Sequence, residues 1–294
     1  MGGGRPLISV AIPIYNSATF LENTIKSVLN QSFQDFELLL INDGSSDNSL
    51  KVCEKFISNP KVKIFSDGVN KGLVFRLNES IIRARGKYYA RMDADDIMHP
   101  ERLDKQVAFM QEHKDVDVIG ASAYLIDGGN NIKGIRQATT SKEGQDVRGF
   151  IHPSVMGKTE WFRKNPYDSK FLRIEDKELW LRTFRASKFE NLEETLLYYR
   201  EEGVPITSKY VKTQISALRL SYKLLSYGFG IKDSLKLAMF SLLKVFAIYG
   251  FSLIGQPQMI LNFRKKSIVN NFQVAKSDLD RALAPIYLNG DLKV

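Results

Sequence analysis

The stretch LISVAIPIYNSATFLENTIKSVLNQSFQDFELLLIN, residues 7–42, decides the fold. Its first seven residues form a near-continuous apolar run ending at a proline, as expected of a central parallel strand covered on both faces. A helix is predicted next, because apolar residues recur at helical intervals over residues 21–29, and Thr19 with Glu22 has the spacing of a capping box. The apolar run FELLLI, residues 36–41, is a second strand. This order predicts a βαβ unit.

The pattern then repeats along the chain. Further strands are predicted at residues 62–65, 88–92 and 116–126, with a helix at residues 73–84. Alternating strands and helices indicate an α/β fold whose sheet is mostly parallel and flanked by helices. Ligands of such sheets bind at the carboxyl ends of the strands. The polar residues at those ends are Tyr15, Asn16, Asp43, Asp93, Asp95 and Asp96.

Residues 89–103, YARMDADDIMHPERL, place three carboxylates at the end of a predicted buried strand. Like charges this close resist desolvation unless a cation or a hydrogen-bond donor compensates them. Oxygen ligands suit a hard ion, so the sequence predicts a Mn²⁺ or Mg²⁺ site. In an extended segment Asp93 and Asp95 face that site, while Asp96 points to the other side and caps the next helix or orients its neighbours. A solvated acidic turn that caps the helix near Pro100 is the alternative.

Four blocks of the sequence, in this order, resemble family-2 glycosyltransferases. They are residues 8–49, residues 70–81 (NKGLVFRLNESI), residues 86–103, and IEDKELWLR at 174–182 followed by LLYYR at 196–200. The resemblance runs over residues 6–200. It implies a Rossmann-like sheet of the GT-A type and a transferase that moves a sugar from a nucleotide-sugar donor, most simply a UDP-sugar, to an acceptor hydroxyl with inversion at the anomeric carbon.

The resemblance assigns several residues to the donor. Asp43 would accept an N–H of a uracil-type base, with an Asx turn as the alternative. Pro13, Tyr15 and Asn16 would line the base and ribose pocket, although Tyr15 is equally compatible with ordinary packing. Lys71 would bring a cationic side chain to the donor, unless it is simply solvated.

One block departs from the commonest family pattern, which places an arginine directly before an asparagine. Here Leu77 separates Arg76 from Asn78. Asn78 is carried over as a donor-binding residue, and the role of Arg76 stays open.

The resemblance also divides the chemistry between two sets of carboxylates. Asp93 would hold the ribose hydroxyls and, with Asp95, ligate the metal that bridges the donor phosphates. Asp176 would be the general base, supported by Glu175. An acid pair in the first turn of a helix can instead serve the helix dipole, so this alternative stays open. His99 is not assigned to the metal; His152 and Trp180 are pocket or core residues.

Composition is that of an ordinary globular protein, with 44% apolar and 26% charged residues in 294. Cys53 is the single cysteine, which excludes an intrachain disulfide and gives no sign of an oxidising compartment. No secretory signal is visible. We therefore expect a cytoplasmic protein.

The whole formal charge of +9 falls within residues 205–270, where ten basic residues accompany a single acid. Residues 211–225 combine an apolar and a basic stripe, as in a helix lying in a membrane interface. Residues 237–255 are almost wholly apolar and approach spanning length, but a central lysine and a glycine favour a shallow or hairpin-like insertion, or burial against the catalytic domain. We therefore divide the chain into a nucleotide-sugar-binding catalytic domain, residues 1–204, and a basic helical region, residues 205–294.

We expect this basic region to bind an anionic membrane surface, placing the protein peripherally at the inner face of the cell membrane, near a glycan or polyprenyl-linked acceptor of cell-surface polysaccharide synthesis. Helical packing or oligomerisation is the second interpretation. Binding to nucleic acid is not expected, because no recognisable binding module accompanies the charge.

Two other functions stay open for the whole chain. A sugar nucleotidylyltransferase shares the sheet but normally has a glycine-rich loop after the first strand, where this chain has PIYNSATF. A non-catalytic nucleotide-sugar-binding or membrane scaffold protein would retain the fold without the chemistry.

Overall fold

The computed structural model describes residues 4–139, 149–201, 207–256, 272–288 and 292–293. Contacts divide the chain into two compact units. The first contains residues 1–165, 187–201 and 267–294, and the second contains residues 166–186 and 202–266. Every described strand belongs to the first unit.

The first unit is built on one sheet of nine strands. They are β1 (Ile8–Ile14), β2 (Phe36–Asn42), β3 (Val62–Ser66), β4 (Tyr88–Arg91), β5 (Ile97–Met98), β6 (Val118–Ile126), β7 (Ile132–Arg136), β8 (Met156–Lys158) and β9 (Phe189–Arg200). All five predicted strands are present. Four strands, β5, β7, β8 and β9, were not predicted from the sequence.

The strands lie in the order β3-β2-β1-β4-β8-β6-β9-β5, and β7 pairs with β6. The first four are parallel to one another, as are β6 and β9. Antiparallel pairing enters at β8, which lies between β4 and β6, and at β5 and β7. This mixed, mostly parallel sheet confirms the predicted α/β class.

The two central strands explain why the first 42 residues dominate the fold. All seven residues of β2 are buried, and all of β1 are buried except Pro13, which is half-buried. Strands that are apolar at every position bury both faces, so they must lie inside a layered structure rather than at a solvated edge.

Nine helices are described in the two units. They are α1 (Ala18–Leu29), α2 (Ser49–Glu54), α3 (Leu73–Arg83), α4 (Arg102–Glu112), α5 (Thr159–Lys164), α6 (Glu175–Thr183), α7 (Thr207–Ser226), α8 (Ile231–Leu253) and α9 (Gln273–Ala282).

The capping box predicted for α1 is wrong. The helix begins at Ala18, so Thr19 and Glu22 both lie inside it. The amide of Ala18 donates instead to the carboxylate of Asp47, at 3.0 Å, and Glu22 forms an ion pair with Lys55 at 2.7 Å. A carboxylate distant in sequence therefore satisfies the helix terminus.

The C-terminal helix α9 belongs to the first unit. The hydroxyl of Tyr198 on β9 donates to the carbonyl of Ala275 at 2.6 Å, and the side-chain amide of Asn30 donates to the carbonyl of Ala282 at 3.0 Å. Two short strands, β10 (Tyr287–Leu288) and β11 (Leu292–Lys293), pair antiparallel beyond it.

The second unit contains α6, α7 and α8. Ser234 on α8 donates its hydroxyl hydrogen to the carbonyl of Ser221 on α7, at 2.5 Å, and Tyr227, just after α7, donates to the carboxylate of Glu178 on α6, at 2.6 Å. The contacts thus group α6 with α7 and α8, and α9 with the sheet, which differs from the predicted division at residue 204. That boundary itself lies outside the described residues.

Within the part of the chain that the structure describes, α8 is the one helix long and apolar enough to cross a membrane, by length and composition. Its most apolar 18-residue window has a mean hydropathy of 1.5 and is 11% buried. The described residues therefore leave most of this window exposed, and the interpretations given for residues 237–255 stay predictions.

Candidate active site

The parallel strands β2, β1 and β4 are neighbours in the sheet, so their carboxyl ends meet at one edge. Tyr15 and Asn16 follow β1, Asp43 follows β2, and Asp93 follows β4 at this edge. The sheet therefore brings together polar residues that are up to about 80 positions apart in the sequence.

Asp43 is buried and accepts three hydrogen bonds. The donors are the backbone amides of Lys71 and Gly72, at 2.7 and 3.0 Å, and the Nε–H of Arg76, at 2.8 Å. Gly72 has a φ of +87°, a conformation that disfavours any residue with a Cβ. The loop before α3 is thereby wrapped around the Asp43 carboxylate.

Arg76, whose role the sequence left open, is the buried counter-ion of Asp43. It is 1% exposed and also forms ion pairs with Asp67 and Glu79, at 2.6 and 2.7 Å. The buried charge of Asp43 is compensated by this guanidinium, which accounts for an aspartate inside the sheet edge. The missed signal was the set of acidic residues on either side of Arg76 in the sequence.

Asn16 forms hydrogen bonds with the loop that follows β2. Its side-chain oxygen accepts a hydrogen bond from the backbone amide of Ser46 at 2.8 Å, and its backbone amide donates to the hydroxyl of Ser45 at 3.1 Å. Asn16 has a φ of +50°, which asparagine tolerates better than most residues. Its neighbour Tyr15 is 52% exposed, so the ring is available to a ligand.

Two further residues predicted to bind the donor lie on or before α3. The ammonium group of Lys71 forms an ion pair with Asp67 at 2.7 Å and lies 4.8 Å from the ring centroid of Phe75. Asn78 is half-buried within the helix. Their roles, like those of the other assigned residues, remain predictions.

The acidic residues lie in a turn rather than in an extended segment. One carboxylate oxygen from each of Asp93, Asp95 and Asp96 lies within 4.8 Å of the others. The prediction that Asp96 points away is therefore wrong, because the two-residue alternation of a strand ends with β4. Asp96 also does not cap α4, whose N-cap residue is Glu101.

Two of the three carboxylates, those of Asp95 and Asp96, hold a proton more tightly than usual. Removal from water, and then the charge of Asp93, raises the pKa of Asp95 to about 6. Burial, and then the charges of Asp93 and Asp95, raises the pKa of Asp96 well above its usual value. The ionised forms of Asp95 and Asp96 are therefore disfavoured unless a further positive charge lies near them.

Asp96 provides a direct test of whether this turn suits a cation. It is fully buried; its Oδ1 accepts from the amide of Arg200 at 2.8 Å, while its Oδ2 has no hydrogen-bond partner among the described residues. A buried carboxylate oxygen without a donor is costly unless a positive charge lies near it. The donor set, all oxygen, fits Mn²⁺ or Mg²⁺.

Arginines behind the turn were missed by the sequence analysis. Arg91 is buried and pairs with Asp93 at 2.5 Å. Arg102 is fully buried, where its guanidinium donates to the carbonyls of Arg91 and Pro153 at 2.9 and 2.8 Å, and burial lowers its pKa to about 9. Arg91 therefore contacts the acidic turn directly, and Arg102 holds the end of β4 from which the turn begins.

The two histidines near these motifs differ. His99 lies 3.1 Å from the carboxylate of Asp278 on α9. His152 lies in a short 3₁₀ turn, His152–Ser154, and burial, with a contribution from the charge of Arg91, lowers its pKa well below the usual value. His152 is therefore a neutral imidazole.

In the second unit, Glu175 and Asp176 occupy the first turn of α6, as predicted. Glu175 is buried and Asp176 is half-buried. Trp180 is buried on the same helix. Negatively charged side chains in the first turn of a helix interact favourably with the helix dipole.

Comparison with known proteins shows the family. Residues 9–171 match the model of glycosyl transferase family 2, over more than half of the chain. The chain belongs to this family. The glycosyltransferase is 34% identical over 207 residues to the putative glycosyltransferase EpsE of Bacillus subtilis, covering 67% of this chain and 74% of EpsE.

A second relative is the O-antigen biosynthesis glycosyltransferase WbnJ of Escherichia coli, 31% identical, with 66% of this chain and 79% of WbnJ covered. Among solved structures, S. aureus TarS in complex with UDP-GlcNAc superposes with a TM-score of 0.65 at 19% identity, covering 84% of this chain and 75% of that one. The mannosyltransferase PcManGT from Pyrobaculum calidifontis, in complex with GDP-Man and Mn²⁺, gives 0.57 at 13% identity, covering 96% and 86%. The glycosyltransferase thus has the GT-A fold.

Proposed function

We propose that this glycosyltransferase is an inverting, divalent-metal-dependent enzyme whose donor is a UDP-sugar. The sugar is transferred to a hydroxyl of a glycan or polyprenyl-linked acceptor in cell-surface polysaccharide synthesis. The convergence of three carboxylates at the carboxyl end of β4 carries the proposal. The relative named for O-antigen biosynthesis supports the polysaccharide setting.

The acidic turn would hold the metal through Asp95 and Asp93, with the buried oxygen of Asp96 close by. When bound, Mn²⁺ or Mg²⁺ supplies positive charge that stabilises the departing nucleoside diphosphate. Arg91 holds the Asp93 carboxylate from the protein side. Asp93 would also accept hydrogen bonds from the ribose hydroxyls.

The hydrogen bonds of Asp43 favour uracil as the base. A carboxylate offers about four lone pairs, and three of those on Asp43 already accept from described groups. About one position is therefore left for a ligand, which suits the single N3–H of uracil better than the adjacent N1–H and amino group of guanine. The exposed ring of Tyr15 would cover the base.

Asp176 would act as the general base on the acceptor. An aspartate is a weak base in water, but the hydroxyl proton leaves late, as the anomeric carbon becomes cationic, and positioning supplies much of the rate. Glu175 would orient this carboxylate. Because one displacement at the anomeric carbon inverts its configuration, a single base suffices.

Ligand-induced stabilisation tests the donor and the metal together. We expect UDP or a UDP-sugar with Mn²⁺ to raise the melting temperature of the full-length protein, since a ligand that binds the folded state alone stabilises it by about 2.7 kcal/mol at one hundred times its Kd. The measurement is a thermal-shift screen of UDP- and GDP-sugars, with EDTA as control. If no nucleotide sugar stabilises or is hydrolysed, the chain is a scaffold.

We also propose that α7 and α8 bind an anionic membrane surface. The polarity of α8 is inverted: its buried residues include Ser234 and Ser241, whereas Leu235, Leu242 and Phe246 are 47–73% exposed. Small polar residues between helices and large apolar ones outside are typical of helices packed in lipid. A helix of 23 residues is about 35 Å long, comparable to the hydrocarbon core.

The basic residues of this pair fit lipid headgroups. Lys212, Arg219 and Lys223 recur at helical intervals on α7, next to the exposed side chains of Ile215 and Tyr222. Lysine and arginine beside apolar side chains are attracted to anionic lipid by about 1 kcal/mol each. The helices would place the enzyme at the inner face of the cell membrane, near a lipid-linked acceptor.

Flotation with liposomes tests the membrane proposal without reference to catalysis. We expect wild type to float with vesicles containing anionic lipid and Leu242→Glu/Phe246→Glu to lose most of this binding, because two charges cannot enter the acyl region. Ile82→Glu, at a 75% exposed apolar position of α3, is the matched control and should float normally. If wild type, the double variant and Ile82→Glu float equally, the membrane proposal is wrong. If wild type is a dimer and the double substitution makes it a monomer, the exposed face of α8 serves self-association instead.

A further inference from the structure

We propose that Arg200 is a positioning residue that holds the acidic turn in its metal-binding shape. The inference rests on the proposed metal-dependent function. Arg200 is the last residue of β9 and is 5% exposed. It lies more than one hundred positions from the acidic turn in the sequence, but the fold brings it within hydrogen-bonding distance of that turn.

Arg200 fixes two consecutive residues of the turn. Its Nε–H donates to the carbonyl of Asp95 at 2.8 Å, and its backbone amide donates to the Asp96 carboxylate, also at 2.8 Å. The first bond fixes the main chain of the proposed metal ligand. The second orients the neighbouring carboxylate, whose other oxygen is the buried one without a partner in the described structure.

The rest of the guanidinium is anchored elsewhere. One terminal nitrogen donates to the carbonyl of Asp127 at 2.5 Å and the other to the side-chain oxygen of Asn130 at 2.6 Å, both in the turn between β6 and β7. The guanidinium carbon lies 4.1 Å from the ring centroid of Phe20 on α1. Arg200 therefore ties the acidic turn to β9, to the β6–β7 turn and to α1.

These contacts require the planar guanidinium group of arginine. A guanidinium presents five N–H donors in fixed directions, whereas a lysine ammonium is a compact charge on a flexible stem. Three mutually repelling carboxylates separate unless the backbone carrying them is held. Residues that orient metal ligands typically contribute 10- to 100-fold to metal affinity.

Mn²⁺ binding to the full-length protein, measured by the EPR signal of free Mn²⁺, tests this role. We expect Arg200→Lys and Arg200→Met both to weaken binding about tenfold or more. If Arg200 acted through charge alone, Arg200→Lys would bind Mn²⁺ like wild type, and that result would overturn the inference. Lys133→Met is the matched control, since Lys133 pairs with Asp127 at 2.9 Å but makes no described contact with the acidic turn.

A second variant keeps the test decisive if the Arg200 variants fail to fold. Asn130 has a φ of +64°, so Asn130→Gly keeps the backbone unstrained while removing one acceptor of the guanidinium group. We expect Asn130→Gly to bind Mn²⁺ about threefold more weakly, the effect of one hydrogen bond. If the Arg200 and Asn130 variants fold and bind Mn²⁺ as tightly as wild type, the proposed role of Arg200 is wrong and the metal site stands. If wild type itself binds no Mn²⁺, both the metal site and the role of Arg200 are wrong.

Discussion

Asp95→Asn should reduce the rate of UDP-sugar hydrolysis and transfer by about a thousandfold, because a preorganised charge at the leaving group contributes roughly 3–4 kcal/mol to such reactions. The amide preserves the shape of the side chain but cannot offer the metal an anionic oxygen. Since the ionised form of Asp95 is opposed by partial removal from water and by the charge of Asp93, the substitution should leave the metal-free fold intact or more stable. The measurement is UDP release at a low Mn²⁺ concentration and at one that saturates wild type.

The control for this variant is Asp104→Asn, an exposed carboxylate in the first turn of α4 in the same unit. Its activity and its response to Mn²⁺ should match wild type. Full activity of Asp95→Asn at low Mn²⁺ would show that the acidic turn is not the metal site and that the raised pKa values there reflect only crowding.

Asp176→Asn should lower the turnover rate by about 10²- to 10⁴-fold, the usual loss when a general base is removed. Binding of UDP and Mn²⁺, followed by calorimetry, should stay close to wild type, because the proposed base contacts the acceptor and not the donor. This split between rate and donor affinity separates a base from a ligand of the metal.

The competing interpretation is that Glu175 and Asp176 merely favour the start of α6. In that case Asp176→Asn would lower stability by about 0.3–1 kcal/mol, with little effect on rate. Glu160→Gln in the first turn of α5 is the matched control, because it removes an acid from an equivalent helical position. The turnover rate of Glu175→Gln should lie between those of Asp176→Asn and Glu160→Gln.

The sequence by itself determined the sheet centre and which edge of the sheet carries the polar residues. Apolar runs such as residues 8–12 can be buried only as central strands, and a polar residue following such a run must lie at a strand end. The places of Tyr15, Asp43 and Asp93 along one edge followed from this reasoning. Periodicity also determined α3 and α6, because a helix of eight or more residues repeats its pattern at least twice.

The short strands β5 and β8 could not be predicted in this way. Two or three residues carry no period, and both strands pair antiparallel with partners distant in the sequence. The direction of Asp96 was mispredicted for the same reason: alternation holds only while the chain stays extended, and the backbone turns directly after β4.

Tertiary structure alone decided which groups donate to the buried carboxylates. Asp43 lies 33 positions from the guanidinium of Arg76, and Asp96 lies 104 positions from the backbone amide of Arg200, so no local pattern marks either contact. It also decided that α8 buries Ser234 and Ser241 and leaves Leu235 and Leu242 exposed. Composition gives the number of apolar side chains, but only packing determines which of them are left without a protein neighbour, because burial depends on contacts that close over long sequence distances.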